Sequence, residues 1–338
     1  MLKPQQTNAL NQAEQVWLGK ALAGIGKPEE YQVVPLLAEA SHRKFFRIIC
    51  KNNISASYVL MLSPPHLEEN ERFETFSKIF AAHQINVPTI LDANKKNGWY
   101  ILTDLGETHL KDTYDTSTKE EAIGSAINML IQIQAISDPK IPPYSIKRFE
   151  DELGIFKEWF VEKWLGETFP EKLFLTPFEL LVKNASTQIQ CCVHRDYHCR
   201  NILFSHDRIG LVDFQDALIG PISYDLASLL RDCYHRFSEQ EIDHWISLYL
   251  KLCKFKVKFG KDEFKMQLDL TAVQRQLKAV GIFSRLYLRD GKSSHLEYIN
   301  QVIAHASELC ERHPSLQPIT NLLLDWKLAS NEKLMTKT

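Results

Sequence analysis

The sequence lacks the features that mark several large classes of protein. No apolar run approaches the roughly 18 residues that a membrane-spanning helix needs, and the N-terminal stretch is polar, without a hydrophobic signal core. Lys and Arg number 40 against 42 Asp and Glu, so there is no basic surplus of the kind that nucleic-acid binding requires. We therefore expect a cytoplasmic protein that has neither a membrane nor a nucleic acid as partner.

Several catalytic signatures are also missing. The seven cysteines form no C-x-x-C pair, and we expect them to be free, reduced and mostly buried. There is no Walker G-x-x-x-x-G-K-[ST], no G-x-S-x-G nucleophile elbow and no G-x-G-x-x-G loop. His194, His198 and Asp196 have no fourth ligand at a spacing that suits zinc. No third group orients Cys192 and His194 as a nucleophile and its base.

One motif stands out from an ordinary globular composition, which is 44% apolar and 24% charged over 338 residues. Residues 194–196 read His-Arg-Asp, and Asn201 follows after four further positions. A short apolar strand, a polar turn and a second strand come next, and the second strand leads into Asp-Phe-Gln at 213–215. This order is typical of the catalytic loop and metal-binding loop of protein-kinase-like phosphotransferases.

The chemistry of phosphoryl transfer explains this spacing. The reaction needs a carboxylate that receives the proton of the acceptor hydroxyl, and Asp196 lies where this base is expected, with His194 and Arg195 bracing the loop. It also needs oxygen ligands for the Mg²⁺ that bridges the phosphates of ATP. Asn201 and Asp213 are the predicted ligands, because the hairpin between them turns the chain back on itself. ATP and Mg²⁺ are the predicted cofactors.

Further stretches of the chain resemble one family. These stretches are 194–197 (HRDY), 200–203 (RNIL), 212–217 (VDFQDA), 220–226 (GPISYDL) and 229–234 (LLRDCY). Together they are similar to the aminoglycoside-phosphotransferase superfamily, and within it to the bacterial anomeric N-acetylmuramate/N-acetylglucosamine kinases of cell-wall recycling. The turn at 41–47, the hinge at 102–106 and a helical stretch at 274–292 extend the resemblance over most of the chain.

The resemblance implies an α+β, protein-kinase-like bilobal fold with a small β-rich N-lobe and a larger helical C-lobe. The expected division is a nucleotide-binding lobe at 1–104 and a catalytic and substrate-binding lobe at 105–338. It also implies that Asp225 holds the catalytic loop. Met61 occupies the strand position where many such kinases carry an ATP-binding lysine. The residue that binds the α- and β-phosphates of ATP is therefore not identified from the sequence. The nucleotide site is predicted in a polar turn and a hinge: Ser41, Arg43, Lys44, Thr103, Asp104 and Leu105.

Local sequence patterns predict the elements. A first amphipathic helix would bury Leu10, Val16, Trp17 and Leu22. Thr118 with Glu121 would form a capping box at the start of a later helix. An aromatic stripe at 73, 76 and 80 is predicted to lie in the core. Strands are predicted at 31–37, 45–50, 57–62 and 99–102. Helices are predicted at 8–22, 69–83, 118–136, 147–165, 170–186, 238–252, 262–288, 295–312 and 318–328, with another that begins at Gly220-Pro221.

The acceptor is predicted to be a small amino sugar. A helix follows the metal-binding loop almost at once, without the Ala-Pro-Glu segment of protein kinases. Acids and arginines are mixed near the motif, which suits a neutral or anionic sugar better than a polycationic aminoglycoside. Kinases of aminoglycosides or choline-like alcohols are alternatives, and so is a nucleotide-binding pseudokinase, although the intact motif argues against the last. The predicted acceptor contacts are Asp216, Arg231, Arg275 and Arg285.

Overall fold

The chain divides into two units in the computed structural model. The smaller unit comprises Met1–Glu107 and Gly210–Gln215, and the larger unit comprises Thr108–Ile209 and Asp216–Thr338. The smaller unit therefore includes a six-residue segment that begins within the second strand after the catalytic loop. The structure describes residues 10–26, 30–36, 42–51, 57–205, 208–256 and 260–335.

A five-stranded antiparallel sheet organises the smaller unit. Its strand order is β1-β2-β3-β5-β4, and the register pairs Phe46 with Leu60 and Leu60 with Ile101. These three side chains belong to the apolar core of this unit, because residues paired directly across neighbouring strands point to the same face of the sheet. The strands are β1 (Tyr31–Leu36), β2 (Lys44–Cys50), β3 (Ser57–Leu62), β4 (Ile90–Asn94) and β5 (Trp99–Thr103).

Helix α1 (Gln12–Gly24) packs its apolar side on the core of this sheet. Asn11 caps it in a capping box with Glu14, and Leu18 and Leu22 are fully buried. The prediction that Val16 is buried is wrong, since 52% of Val16 is exposed. Val16 lies about 200° around the helix from Leu18, which places it on the opposite side. The predicted start at residue 8 falls outside the described residues.

Helix α2 (Asn70–Ala82) carries the predicted aromatic stripe into the core, and this prediction is confirmed. Phe73 and Phe80 both pack against Phe214, with ring centroids 5.4 and 5.7 Å apart. The backbone N–H of Leu211 donates to the carbonyl of Asn86 at 2.9 Å. These contacts fasten the segment Gly210–Gln215 to the smaller unit.

The larger unit is mainly helical. Helices α3 (Lys119–Gln134), α4 (Ile146–Ile155), α5 (Glu171–Thr187), α6 (Tyr224–Leu230), α7 (Glu239–Leu252), α8 (Lys261–Asp290), α9 (Leu296–Glu311) and α10 (Gln317–Met335) follow in chain order. Short strands occur as β6 (Gln190–Val193), β7 (Ile202–Ser205), β8 (Arg208–Leu211), which leads into the smaller unit, and β9 (Leu218–Pro221). The 30-residue α8 is the longest of these helices and contacts α4, α5, α6, α7 and α9.

Three local predictions for this unit need correction. The helix predicted at 147–165 consists of α4 followed by a π-helix, Phe156–Leu165. Thr118 precedes α3 but makes no capping bond, because its hydroxyl pairs with the hydroxyl of Thr116 at 2.8 Å. Gly220 and Pro221 do not begin a helix: they end β9, which pairs with β6, and α6 starts at Tyr224. A Cβ at Gly220 would lie 2.9 Å from the Val193 side chain, so this pairing needs glycine.

All seven cysteines are free, and five of them are buried, as predicted. No helix within the described ranges is long and apolar enough to cross a membrane.

Candidate active site

The predicted catalytic loop leaves the end of β6. Cys191, Cys192 and Val193 are buried, and His194 follows them directly into the interior. The loop then runs through Asp196 to Asn201, where β7 begins. A buried strand thus fixes one end of the loop, and a second strand fixes the other.

Asp225 holds the backbone of this loop, as its family position implied. Its Oδ2 accepts from the N–H of His194 at 2.6 Å, and its Oδ1 accepts from the N–H of Arg195 at 2.9 Å. Asp225 is completely buried in the first turn of α6. Burial raises the pKa of its carboxyl to about 6, although the two backbone bonds oppose this shift.

Arg195 has a backbone conformation that L-residues rarely adopt, with φ at 80°. Such a conformation costs on the order of 1–3 kcal/mol and persists only where the surroundings enforce it. Three contacts do so here. Its N–H donates to Asp225, its guanidinium donates to Glu152 at 2.7 Å, and its carbonyl accepts from Arg275. The backbone that presents Asp196 is therefore fixed immediately before the carboxylate.

The carboxylate of Asp196 is ionised at neutral pH. Burial alone would raise its pKa, but Lys278, Arg195, Arg275 and His198 together hold that pKa below its ordinary value. An ionised carboxylate at this position can accept a hydrogen bond from a hydroxyl and then receive its proton.

Glu152 of α4 is a central residue that the sequence analysis missed. Only 4% of it is exposed, and it accepts from Arg195, from the hydroxyl of Tyr144 and from Gln274 Nε2 at 3.3 Å. Its Oε1 also lies 3.0 Å from the Nζ of Lys278. Burial would raise the pKa of Glu152, but Lys278 and Arg195 outweigh this effect and lower it. Glu152 is thus a buried anion between two buried cations.

A sequence signal for Glu152 did exist. Phe149, Leu153 and Phe156 follow a helical pattern and are all buried. Position 152 lies on the same side of the helix, three residues after Phe149 and four before Phe156. A glutamate on an apolar face needs a partner, because an unpaired buried charge is costly.

Arg275 of α8 contacts the catalytic loop. It donates to the carbonyl of Arg195 and to the hydroxyl of Ser228, and its guanidinium lies 4.5 Å from the centre of the Tyr224 ring. This geometry gives the predicted acceptor contact at Arg275 no support. It assigns Arg275 to the positioning of Arg195, one residue before the base.

Arg231 is also paired within the protein. Its guanidinium is almost fully buried and donates to Asp269 at 2.9 Å and to Glu239 at 2.6 Å. This pairing occupies the charge of Arg231, so the predicted acceptor contact has no support here either. The neighbouring Asp232 accepts from the N–H of Cys199 at 3.1 Å and so braces the second half of the catalytic loop.

The two remaining predicted acceptor residues lie in different surroundings. Asp216 is exposed, and its backbone carbonyl accepts from Arg195 at 3.5 Å. Arg285 is half-buried on α8, and burial together with Arg289 lowers its pKa. Its position is about 15 Å along the helix from Arg275, ten residues at 1.5 Å each. Asp216 is therefore in contact with the catalytic loop through its backbone, whereas Arg285 is remote from Arg275.

Asn201 and Asp213 have the chemistry of magnesium ligands. Asn201 Nδ2 donates to the carbonyl of Asp196 at 3.0 Å, which leaves Oδ1 as the group suited to a cation. Asp213, in the smaller unit, is exposed with φ at 64°, and its Oδ1 accepts from Gln215 at 2.7 Å. In the described part of the chain, no group of three or more His, Cys, Asp or Glu is arranged to hold a metal ion.

The predicted phosphate-binding turn is partly described. Ser41 lies outside the described residues, and Lys44 is half-buried at the start of β2. Arg43 is buried, and its Nε donates to Ser63 at 3.2 Å and lies 3.5 Å from the carboxylate of Glu68. Met61 is completely buried, so this position of β3 presents no cation to the phosphates.

The predicted hinge is held by Arg47, which the sequence analysis did not single out. Arg47 Nε donates to Asp104 Oδ2 at 2.6 Å, and Arg47 Nη2 donates to the carbonyl of Gly106 at 2.8 Å. Thr103 accepts through its hydroxyl from the N–H of Thr89, and the chain turns at Gly106 with φ at 100°. The side chains of Thr103 and Asp104 are thus engaged within the hinge itself.

Leu105, the third predicted hinge residue, lies close to the metal-loop segment. A Cβ built on Gly210 would lie 3.0 Å from Leu105 Cδ1. The close approach of this backbone to Leu105 therefore requires glycine at 210.

Comparisons with known proteins agree with this geometry. The sequence matches the phosphotransferase enzyme family (APH) over residues 32–263, well over half of the chain. It is 32% identical to the N-acetylmuramate/N-acetylglucosamine kinase of Neisseria meningitidis, covering 95% of this chain and 98% of that one. It is 30% identical to the N-acetylmuramate/N-acetylglucosamine kinase of Pseudomonas putida, covering 92% and 94%.

Two solved structures share the fold at low sequence identity. An ethanolamine kinase of Plasmodium vivax is similar with a TM-score of 0.63 at 13% identity, covering 94% of this chain and 93% of that one. The ADP-bound aminoglycoside phosphotransferase APH(2'')-Ib has a TM-score of 0.58 at 14% identity, covering 91% and 98%. These likenesses confirm the predicted α+β, kinase-like fold.

Proposed function

The chain belongs to the phosphotransferase enzyme family (APH) and is an ATP-dependent kinase; we propose that its acceptor is the anomeric hydroxyl of N-acetylmuramate and N-acetylglucosamine. The observation that carries this proposal is the full-length similarity to kinases named for these two sugars, at 30–32% identity. The ordered catalytic loop around Asp196 supports it, because it has the carboxylate that the reaction needs.

The proposed reaction uses a small number of residues. The anomeric oxygen attacks the γ-phosphorus of ATP, the bond between that phosphorus and the β–γ bridging oxygen breaks, and ADP leaves. Asp196 orients the hydroxyl and receives its proton. Asp225, Glu152 and Arg275 hold Arg195 and so fix the direction of Asp196.

We assign Asn201 and Asp213 as the ligands of Mg²⁺, which neutralises charge on the phosphates when it is bound. Both offer an amide or carboxylate oxygen of the kind that this ion prefers. The assignment rests on their places in the sequence motif and on the orientation of the Asn201 amide.

For the phosphates of ATP, Arg43 is the proposed cation in place of the lysine that Met61 replaces. Lys44, the next residue of the predicted phosphate turn, is the alternative, because Arg43 is itself paired with Glu68 at 3.5 Å. The backbone at 103–105 is proposed to meet the adenine edge.

The proposed setting is the cytoplasm, where ATP is available, and the proposed pathway role is the recycling of cell-wall amino sugars. The sugar is the small-molecule partner in this account, and no nucleic acid or membrane takes part. The reaction would supply a sugar 1-phosphate.

The experiment that tests this proposal is incubation of the protein with Mg-ATP and a panel of acceptors. The panel contains N-acetylmuramate, N-acetylglucosamine, choline, ethanolamine and an aminoglycoside, and mass spectrometry reports each gain of phosphate. Phosphorylated amino sugars that have lost their reducing end support the proposal. Phosphate on an amino alcohol or on the aminoglycoside alone would replace the acceptor, and ATP binding without any product would indicate a pseudokinase.

The role of Asp196 is tested by Asp196→Asn. The variant cannot receive the proton, and we expect kcat to fall by about 10²–10⁴-fold, the usual range for a lost general base. Binding of ATP, measured by titration calorimetry, should change little because the base faces the acceptor. Retention of more than a tenth of the wild-type kcat would contradict the assignment.

A further inference from the structure

A cluster of aromatic and basic side chains lies beside the second half of the catalytic loop. The guanidinium of Arg200 is 4.6 Å from the centre of the Tyr234 ring. The His198 ring meets Tyr234 edge-on at 5.3 Å, and the Tyr298 ring does so at 5.1 Å. We call these four residues the Tyr234 patch.

The Tyr234 patch is tied directly to the catalytic loop. Asp232 accepts from the N–H of Cys199 at 3.1 Å and from the N–H of Tyr234 at 3.0 Å, so one carboxylate fixes both backbones. Within the loop, His198 Nε2 lies 3.4 Å from the amide of Asn201. The patch therefore keeps a set position relative to the residues that carry the chemistry.

The base itself is close to this patch. The backbone N–H of His198 donates to the carbonyl of Asp196 at 3.0 Å, and Asn201 Nδ2 donates to the same carbonyl at 3.0 Å. His198 and Arg200 thus follow the base by two and four positions on a loop that is bonded back to it. A sugar whose reacting hydroxyl meets Asp196 would therefore lie beside this part of the loop.

The four residues of the patch are half-buried. The Tyr234 ring also neighbours Phe283, with ring centroids 6.4 Å apart, and Phe283 stacks on His295 at 4.9 Å. Rings held this way lose little freedom when a ligand packs on them, and part of each remains accessible.

The chemistry of the patch fits a pyranose with an acidic substituent. The C–H face of a sugar ring packs on an aromatic ring, and a guanidinium stacked on tyrosine directs its N–H groups sideways, where a carboxylate binds in a bidentate manner. Arg200 belongs to the catalytic loop, four residues after Asp196, and its guanidinium lies over the ring of Tyr234.

We propose that the Tyr234 patch is the acceptor subsite, in which Tyr234 packs against the sugar ring and Arg200 binds the carboxylate of N-acetylmuramate. This inference rests on the proposed function and deepens it, because it explains how one site accepts an acidic sugar and a neutral one. The carboxylate adds a charged contact that N-acetylglucosamine lacks.

The first test compares Arg200→Gln and Arg200→Lys with the wild type on both sugars. The readout is the ratio of kcat/KM for N-acetylmuramate to that for N-acetylglucosamine. Loss of a charge-assisted hydrogen bond is expected to lower this ratio about tenfold or more in Arg200→Gln. Arg200→Lys keeps the charge and should retain an intermediate ratio.

Arg236→Gln is the matched control for this test. Arg236 is an exposed arginine two residues from Tyr234, and it pairs with Glu308 rather than with the patch. The Arg236→Gln variant removes the same charge as Arg200→Gln and should leave the ratio of the two kcat/KM values unchanged. An equal fall in both sugars for Arg200→Gln, or an equal change of ratio in the control, would overturn the inference.

The second test compares Tyr234→Leu with Tyr234→Phe. Loss of the ring should raise the KM for both sugars about tenfold, the order expected for one stacked aromatic contact, while the KM for ATP stays the same. Phe keeps the ring and should restore the wild-type KM. An unchanged sugar KM in a folded Tyr234→Leu protein, checked by its melting temperature, would refute the subsite.

Failure of this inference is distinguishable from failure of the proposed function. A wild-type protein that phosphorylates neither sugar removes the proposed function. A wild-type protein that phosphorylates both, with variants that alter neither the ratio nor the sugar KM, removes only the subsite.

Discussion

Replacement of Glu152 by Gln tests whether the buried anion holds the catalytic loop in place. Glu152→Gln keeps the size of the side chain and removes its charge. In the wild type, the Glu152 carboxylate lies 2.7 Å from the Arg195 guanidinium and 3.0 Å from the Lys278 ammonium. The variant leaves both cations buried without this anion. Removing one partner of a buried pair destabilises a protein by about 3–5 kcal/mol, because the remaining charge has no compensation.

This loss is large enough to measure directly. For a unit of this size, each kcal/mol shifts the melting temperature by about 2–4 °C, so a fall of roughly 6–20 °C is expected. Urea unfolding followed by circular dichroism gives the free energy of unfolding. The kcat should fall more than tenfold because Arg195 loses one of the three contacts that enforce its strained backbone.

The neighbouring acid provides a control on the same helix. Asp151 is exposed and pairs with Lys147 one turn away, so Asp151→Asn should change the stability by less than about 1 kcal/mol. The double variant Glu152→Gln/Lys278→Met removes one of the two uncompensated cations and should recover part of the stability. If Glu152→Gln and Asp151→Asn had the same free energy of unfolding, Glu152 would not hold the catalytic loop in place.

Two further predictions concern stability. Burial lowers the pKa of His305 to about 4 in the folded protein, whereas the pKa of a histidine in the unfolded chain is about 6.5. Below about pH 6.5 the unfolded state therefore binds more protons than the folded state, and the free energy of unfolding decreases as the pH falls. The fall from this group is about 2 kcal/mol by pH 5, and urea unfolding of His305→Gln at pH 7 and pH 5 should show less acid sensitivity than the wild type. Gly281→Ala should destabilise by about 1–3 kcal/mol, because its Cβ would lie 2.6 Å from the carbonyl of Ile155. Gly124→Ala in α3, with no neighbour within 4 Å, should instead stabilise, and equal thermal shifts for both alanine variants would contradict the packing argument.

Local patterns were sufficient where a residue's neighbours along the chain decide its environment. The strand Ser57–Leu62 has the predicted bounds, and the aromatic stripe of α2 is buried as its spacing predicted. The role of Asp225 followed from its place in a family motif rather than from spacing alone.

Other features depend on contacts between distant parts of the chain. Glu152 meets Arg195 across 43 positions and Gln274 across 122, and nothing in the local sequence specifies those pairings. For the same reason, the sequence identifies Arg231 and Arg275 as cations on helices but does not reveal their partners. Thr118 makes no capping bond to α3, because its hydroxyl oxygen pairs with the hydroxyl of Thr116 instead.

Helix α8 shows how a single element links stability and chemistry. Arg275 and Lys278 lie nearly one turn apart and reach the carbonyl of Arg195 and the carboxylate of Glu152, respectively. Both also lower the pKa of Asp196. A shift of this helix would therefore disturb the position and the charge of the base together.

The central claim is tested most directly by locating the phosphate on the product. We would purify the product formed from N-acetylmuramate and Mg-ATP and record ³¹P–¹³C and ³¹P–¹H couplings by NMR. The account predicts coupling of phosphorus to C1 and H1, with no reducing end left in the product. A product in which phosphorus couples to C6 or to another carbon and not to C1, or an unphosphorylated sugar, would contradict it.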